Sequence, residues 1–270
     1  MSNGKRERTR HRASVFQSRR DESPPTFLQR AKATLNHVRF SSGEPAGPVR
    51  LSPGLNRNQR QALKFWIDRM PSAFGSRLPP LKLAAAEQLN LVRTSVFINE
   101  NPLLQTDRSR NHPHAVSFIP ERYVVLDAGL FRRRIELGRI LYHEFCHFIW
   151  PRLGNPKRRQ FETLIRRELR DRVRGELGYS SEYRKAGITA HGAKPGGRSA
   201  AGDGKKLTAV SASARRRRWL DYVCESFCDT GSYILLNRER RKHHSEYTLS
   251  RAARLRRDRV WSEVVLRNMS

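Results

Sequence analysis

Residues 137–150, LGRILYHEFCHFIW, constrain the fold of this chain more tightly than any other stretch. Ile140, Leu141, Phe145, Phe148 and Ile149 recur at helical spacing, so the segment reads as a helix that turns an apolar stripe toward a core. Inside that stripe stand His143, Glu144 and His147. Buried imidazoles and carboxylates need partners. A second element must therefore bring donors, acceptors or a cation to this helix.

The spacing favours a cation. On a helix, residues four apart project from one face, which lets His143 and His147 take neighbouring corners of a tetrahedral zinc. Glu144 sits one position round, where its carboxylate can reach a zinc-bound water and abstract a proton as general base. This is the HExxH pattern, His143-Glu144-Phe145-Cys146-His147. A catalytic site needs a third protein ligand and an open position. The best source is DYVCESFCD, residues 221–229, where Glu225 and Asp229 are four apart and Asp221 lies a turn earlier. Three like charges on a half-buried helix repel unless a cation or donors face them. Asp221 is an alternative ligand to Glu225. Cys224 and Cys228 share the spacing but read as buried core residues.

These residues resemble the gluzincin branch of the zincin metallopeptidases, which pair HExxH with a later helix carrying Glu-x-x-x-Asp, here Glu225-Ser226-Phe227-Cys228-Asp229. The resemblance implies an α+β zincin-like domain with a small antiparallel or mixed sheet, an active-site helix and a helical C-terminal part. It implies that Glu225 is the third ligand of one Zn2+ and that Asp229 orients a ligand histidine. It also implies an antiparallel edge strand ahead of the active-site helix to hold extended substrate, the place RYVVLDA occupies, and a downstream oxyanion donor, for which His243, His244 and Tyr247 are candidates. The likeness covers two short helices, and 77 residues separate His147 from Glu225, a long interval for this branch.

Elsewhere, NRNQRQALKFWIDRM and PPLKLAAAEQLNLV have helical spacing, while TSVFI, AVSFI and RYVVLDA read as strands. A charged helix follows Pro151, and two more helices close the chain from Trp219 onward. Residues 1–54 are rich in Arg, Ser, Pro and Gly and read as a disordered basic tail. Residues 184–218 are a low-complexity run that reads as a disordered basic insertion in a domain spanning 55–270.

The chain carries 54 Lys and Arg against 25 Asp and Glu, for a net charge of +29, of which these two segments supply 16. That excess predicts weak, non-specific nucleic-acid binding through the tail and the insertion. Three cysteines are too few and too odd for a disulfide framework and point to a reducing compartment. No signal segment or apolar run of roughly 20 residues is evident, so a cytoplasmic protein without a membrane partner is expected. The expected activity is peptide hydrolysis by a Glu144-activated, zinc-bound water. The alternatives are a basic nucleic-acid-binding protein with a structural or degenerate zinc site, or a protease acting on DNA-bound proteins.

Overall fold

Tyr123–Asp127 is a run of apolar residues rather than an alternation, the pattern of a strand covered on both faces. The computed structural model places it accordingly. Described residues are 49–86, 89–92, 95–98, 101–105, 114–192, 211–236 and 245–267; between 89 and 105 and at 190–192 only the backbone is described. The strands are β1 (Val49–Leu51), β2 (Leu81–Ala86), β3 (Leu89–Val92), β4 (Ser95–Ile98), β5 (Asn101–Gln105), β6 (Ala115–Phe118) and β7 (Tyr123–Asp127). The helices are α1 (Arg57–Ile67), α2 (Ser72–Gly75), α3 (Arg134–Ile149), α4 (Asn155–Arg170), α5 (Tyr179–Gly192), α6 (Ala212–Leu235) and α7 (Arg251–Val265).

The architecture is α+β. A mixed four-stranded sheet runs β1-β2-β7-β6, with β1, β2 and β7 parallel and β6 antiparallel to β7 at the edge. A second sheet, β3-β4-β5, is antiparallel. The RYVVLDA strand is thus central, and the edge expected ahead of the active-site helix belongs to β6, with Ser117 opposite Val124. PPLKLAAAEQLNLV is not a helix either: Leu81–Ala86 pair with β1 and β7 in parallel register, and Leu89–Val92 open the second sheet. Ladder pairing there overrides the helix preference of Leu and Ala.

The presumed tail and insertion both shrink. Val49–Leu51 join the sheet as β1, residues 184–192 continue α5, and 212–218 form the first turns of α6, capped by the Ser211 hydroxyl on the Ala214 N–H. The rest of both segments, 1–48 and 193–210, lies outside the described residues. No described helix is long and apolar enough to cross a membrane.

Helix α3 leaves the sheet through a 3-10 turn that the Asp127 side chain closes on the Gly129 N–H at 2.8 Å. It is buried along most of its length, with α1 against one side and α6 against another. Phe227 of α6 centres an aromatic cluster with Trp150, Phe161 and Trp261 at ring separations of 4.9, 5.4 and 5.7 Å. Gly231 lets α6 close onto α3, because a β-carbon there would stand 2.4 Å from Cys146 Sγ and 2.6 Å from the Trp261 ring.

A buried ionic cluster locks the helical half. Arg257 of α7 pairs with Glu168 of α4 at 2.8 Å and with Glu176 at 2.6 Å, while Tyr222 donates to Glu176 at 2.6 Å and Lys185 approaches it at 3.1 Å. Burial alone would raise the Glu176 carboxyl, but Arg257, Lys185 and the Tyr222 hydroxyl hold it below the usual carboxylate range. A depressed folded-state value adds stability that is complete above about pH 4.5, begins to fall below it and is lost as pH drops through the lower folded-state value. Glu176→Gln should cost about 3 kcal/mol by leaving Arg257 under-paired. It should also flatten the acid limb of a pH series of urea melts; an unchanged acid limb would refute the assignment.

Candidate metal centre

The site lies where α3 and α6 face each other. The HExxH residues sit on a helix whose apolar neighbours are fully buried, so both imidazoles are fixed by core packing. His143 is buried, and His147 is partly open, with its side chain 20% exposed. Across from them, α6 delivers buried Glu225 and Asp229 from successive turns.

Asp229 Oδ1 accepts from His143 Nδ1 at 2.8 Å, which leaves Nε2 to face the site. Asp229 Oδ2 accepts from the Ser181 N–H at 3.1 Å, where α5 begins. Gly178 passes so close that a β-carbon there would lie 2.4 Å from the Asp229 carboxylate. Asp229 thus bonds to His143 and to a backbone donor that no side-chain pattern could reveal.

Three atoms form the centre. His143 Nε2 lies 3.2 Å from His147 Nε2 and 3.3 Å from Glu225 Oε2, and His147 Nε2 lies 3.9 Å from that oxygen. A tetrahedral ion with bonds of about 2.0–2.1 Å separates its ligands by about 3.3–3.4 Å, so the triangle fits a small cation with little adjustment. A second grouping, His143, His147 and Cys228, also has its donor atoms within 4.8 Å of one another and could hold a metal ion. No side of the Glu225 triangle exceeds 3.9 Å. Burial raises the Cys228 thiol, as it does that of Cys146. Cys228 is fully buried in the core, as its spacing suggested, while its sulfur lies among the possible ligand atoms.

Without a metal the centre holds an ionised carboxylate beside two raised imidazoles, whose protons an incoming ion would displace. Burial opposes charge on Glu225, but the bond to His143 and the charges of His147, His143 and Arg184 outweigh it and hold the carboxyl well below its ordinary range. Burial likewise disfavours the His147 cation, yet the Cys224 sulfur and Glu225 raise the imidazole to about 9. Cys224 Sγ lies 3.7 Å from His147 Nδ1, on the ring edge away from the triangle, and its thiol is lowered to about 6 by the hydrogen bond from Cys228 and by His147.

Two partners escaped the sequence reading. Ser117 of β6 donates to Glu144 Oε2 at 2.6 Å, and Arg184 of α5 donates to Glu225 Oε1, the oxygen turned from the histidines, at 3.0 Å. Glu144 takes no part in the triangle. Asp221 remains exposed, and it is Glu225 that meets the histidines. Tyr247 packs edge-on against Tyr233 in a small cluster with Leu177, Leu249 and Ala253. His243 and His244 lie outside the described residues.

No protein-family model, curated protein or solved structure matches this chain.

Glu225→Ala should remove most of the metal that the purified protein holds, while Cys228→Ser should retain it; the reverse result would assign the site to the cysteine triad. Gly178→Ala touches no ligand, yet by displacing Asp229 it should weaken metal affinity about 10 to 100-fold in chelator competition.

Proposed function

We propose that this chain is a zinc-dependent metallopeptidase in which His143, His147 and Glu225 hold one zinc ion and Glu144 is the general base. One observation carries the reading. Glu144, though one residue from a ligand histidine, stays out of the ligand triangle and bonds to Ser117 on an edge strand. A structural metal site has no use for such a carboxylate, whereas hydrolysis requires it.

Two imidazoles and a carboxylate suit zinc and leave a fourth position open. Bound there, zinc would supply Lewis acidity, which acidifies water and polarises a carbonyl. Glu144 would accept the proton of the attacking water and pass it to the leaving amine nitrogen. The Ser117 hydroxyl fixes one oxygen of that carboxylate. Among the described residues no strand pairs with the outer edge of β6, so an extended peptide could add to it through main-chain hydrogen bonds. One strand would then set both the base and the register of the substrate. The three cysteines are free thiols, which supports a reducing, cytoplasmic setting.

Cys228 supports a second reading. Were its thiolate to join the two histidines and Glu225, four protein ligands would close the site and make the ion structural.

Glu144→Gln should retain zinc by elemental analysis while cleavage of labelled casein falls at least about 100-fold, because the amide keeps the shape and loses the base. Near wild-type turnover would exclude Glu144 as the base. His143→Ala and His147→Ala should lose both zinc and thermal stability, since metal bound only by the folded state is linked to folding.

A further inference from the structure

Much of the positive charge of this chain lies on described helices. Residues 155–174 hold eight basic side chains against three acidic ones, and residues 215–218 are four consecutive arginines. One of those acids, Glu168, is buried against Arg257, which leaves Glu162 and Asp171 to answer twelve cations. Both basic stretches belong to described structure, α4 with the turn that follows it and the first turns of α6.

The two helices meet at Glu162. The Trp219 indole N–H and an Arg166 guanidinium N–H both donate to Glu162 Oε1, at 2.7 and 2.6 Å, and the Arg166 guanidinium stacks over the Trp219 ring at 4.5 Å. Burial alone would raise the Glu162 carboxyl, but Trp219, Arg166 and Arg216 lower it, which places Arg216 of α6 beside the α4 surface. Phe161 and Ile165 bury one face of α4. On the opposite face stand Arg159, Thr163, Arg166 and Arg170, all exposed. Arg159 to Arg170 spans eleven residues, about 16 Å of helix. The Arg166–Glu162 and Arg170–Asp171 pairs have arginines 62% and 75% exposed, so they fix rotamers without cancelling the field.

We infer that this surface, the outward face of α4 continued across Trp219 onto Arg215–Arg218 of α6, docks the phosphate backbone of duplex nucleic acid. Charge complementarity argues for it: each strand of duplex DNA presents one negative charge per about 3.4 Å of axis, so a 16 Å row of guanidinium groups runs beside roughly five phosphates of one strand. The alternatives lack what they need. A protein partner needs apolar anchors and a membrane needs insertable side chains. No large apolar side chain of α4 is exposed, its uncharged exposed positions being Asn155, Pro156, Gln160 and Thr163, and Leu220 is the one exposed large apolar side chain among the described residues of α6. Contacts would go to the backbone, with no preference for base sequence. The inference is independent of the peptidase reading.

The test uses the full-length chain and fluorescein-labelled 20-base-pair duplexes of two unrelated sequences, titrated by anisotropy at several salt concentrations. The duplexes should bind equally, and binding should weaken steeply with salt. Arg159→Gln, Arg170→Gln, Arg216→Gln and Arg217→Gln combined should lower affinity on the order of 100-fold at about 50 mM salt and reduce the log–log salt slope by about 3–4. These exposed positions spare Arg166 and Trp219, and an unchanged thermal melt verifies the fold. A matched variant with Lys194, Arg198, Lys205 and Lys206 changed to Gln removes the same charge from residues outside the described structure and should bind as the wild type does. Equal losses in both variants would show a diffuse effect of net charge and overturn the surface. No duplex binding at low salt, or tighter binding to phosphatidylserine vesicles than to duplex, would also overturn it.

Discussion

Asp229 is a carboxylate buried to 1% exposure in a helix interface, and most of the helical half can be understood as its accommodation. A buried carboxylate without partners is costly. This one is met by an imidazole from α3 and a backbone N–H from the start of α5, so three elements must converge on two oxygens. That convergence fixes where α5 begins. It also demands the small residue at Gly178 and delivers Arg184 to the far side of Glu225. The Arg257–Glu168–Glu176 cluster holds the connecting turn from the other side, where Lys185 also donates to the carbonyls of Val173 and Gly175. The candidate metal centre and the buried ion cluster are two ends of one polar framework threaded through an apolar core.

What the sequence shows of this arrangement is what a single helix can encode. His143, Glu144 and His147 are legible because their relation is a rotation of known size about one axis, and the same holds for Glu225 and Asp229. Ser117 and Arg184 are not legible. Each reaches the site from another element, 27 and 41 residues from its partner, and a lone Ser in a strand or Arg in a charged run carries no local mark. The low-complexity reading of residues 184–192 fails for a related reason. Helix α5 is tied down by Ser181, Arg184 and Lys185 rather than by an apolar stripe, so hydrophobic period has little to register.

The strands divide in the same way. Val- and Phe-rich TSVFI, AVSFI and RYVVLDA declare themselves, whereas Leu81–Ala86, with three alanines and two leucines, has a helix former's composition. Only its neighbours make it a strand: β1 and β7 supply ladders on both sides. Which strand lies at the edge is likewise a property of the sheet and cannot be read from any one segment. That is why β6, and not β7, carries the side chain that touches Glu144.

Gly231 has a consequence for cation choice. At its position α3 and α6 approach so closely that a β-carbon would run into Cys146 Sγ and the Trp261 ring, well inside the core. An ion between the two helices would therefore meet a gap sized by packing, and protein interiors resist expansion. Calcium asks for oxygen ligands at about 2.3–2.6 Å and six or more of them, a demand this gap and its two imidazoles do not meet. On the zinc reading, ionic radius would be screened by a hydrogen atom on a glycine outside the ligand set.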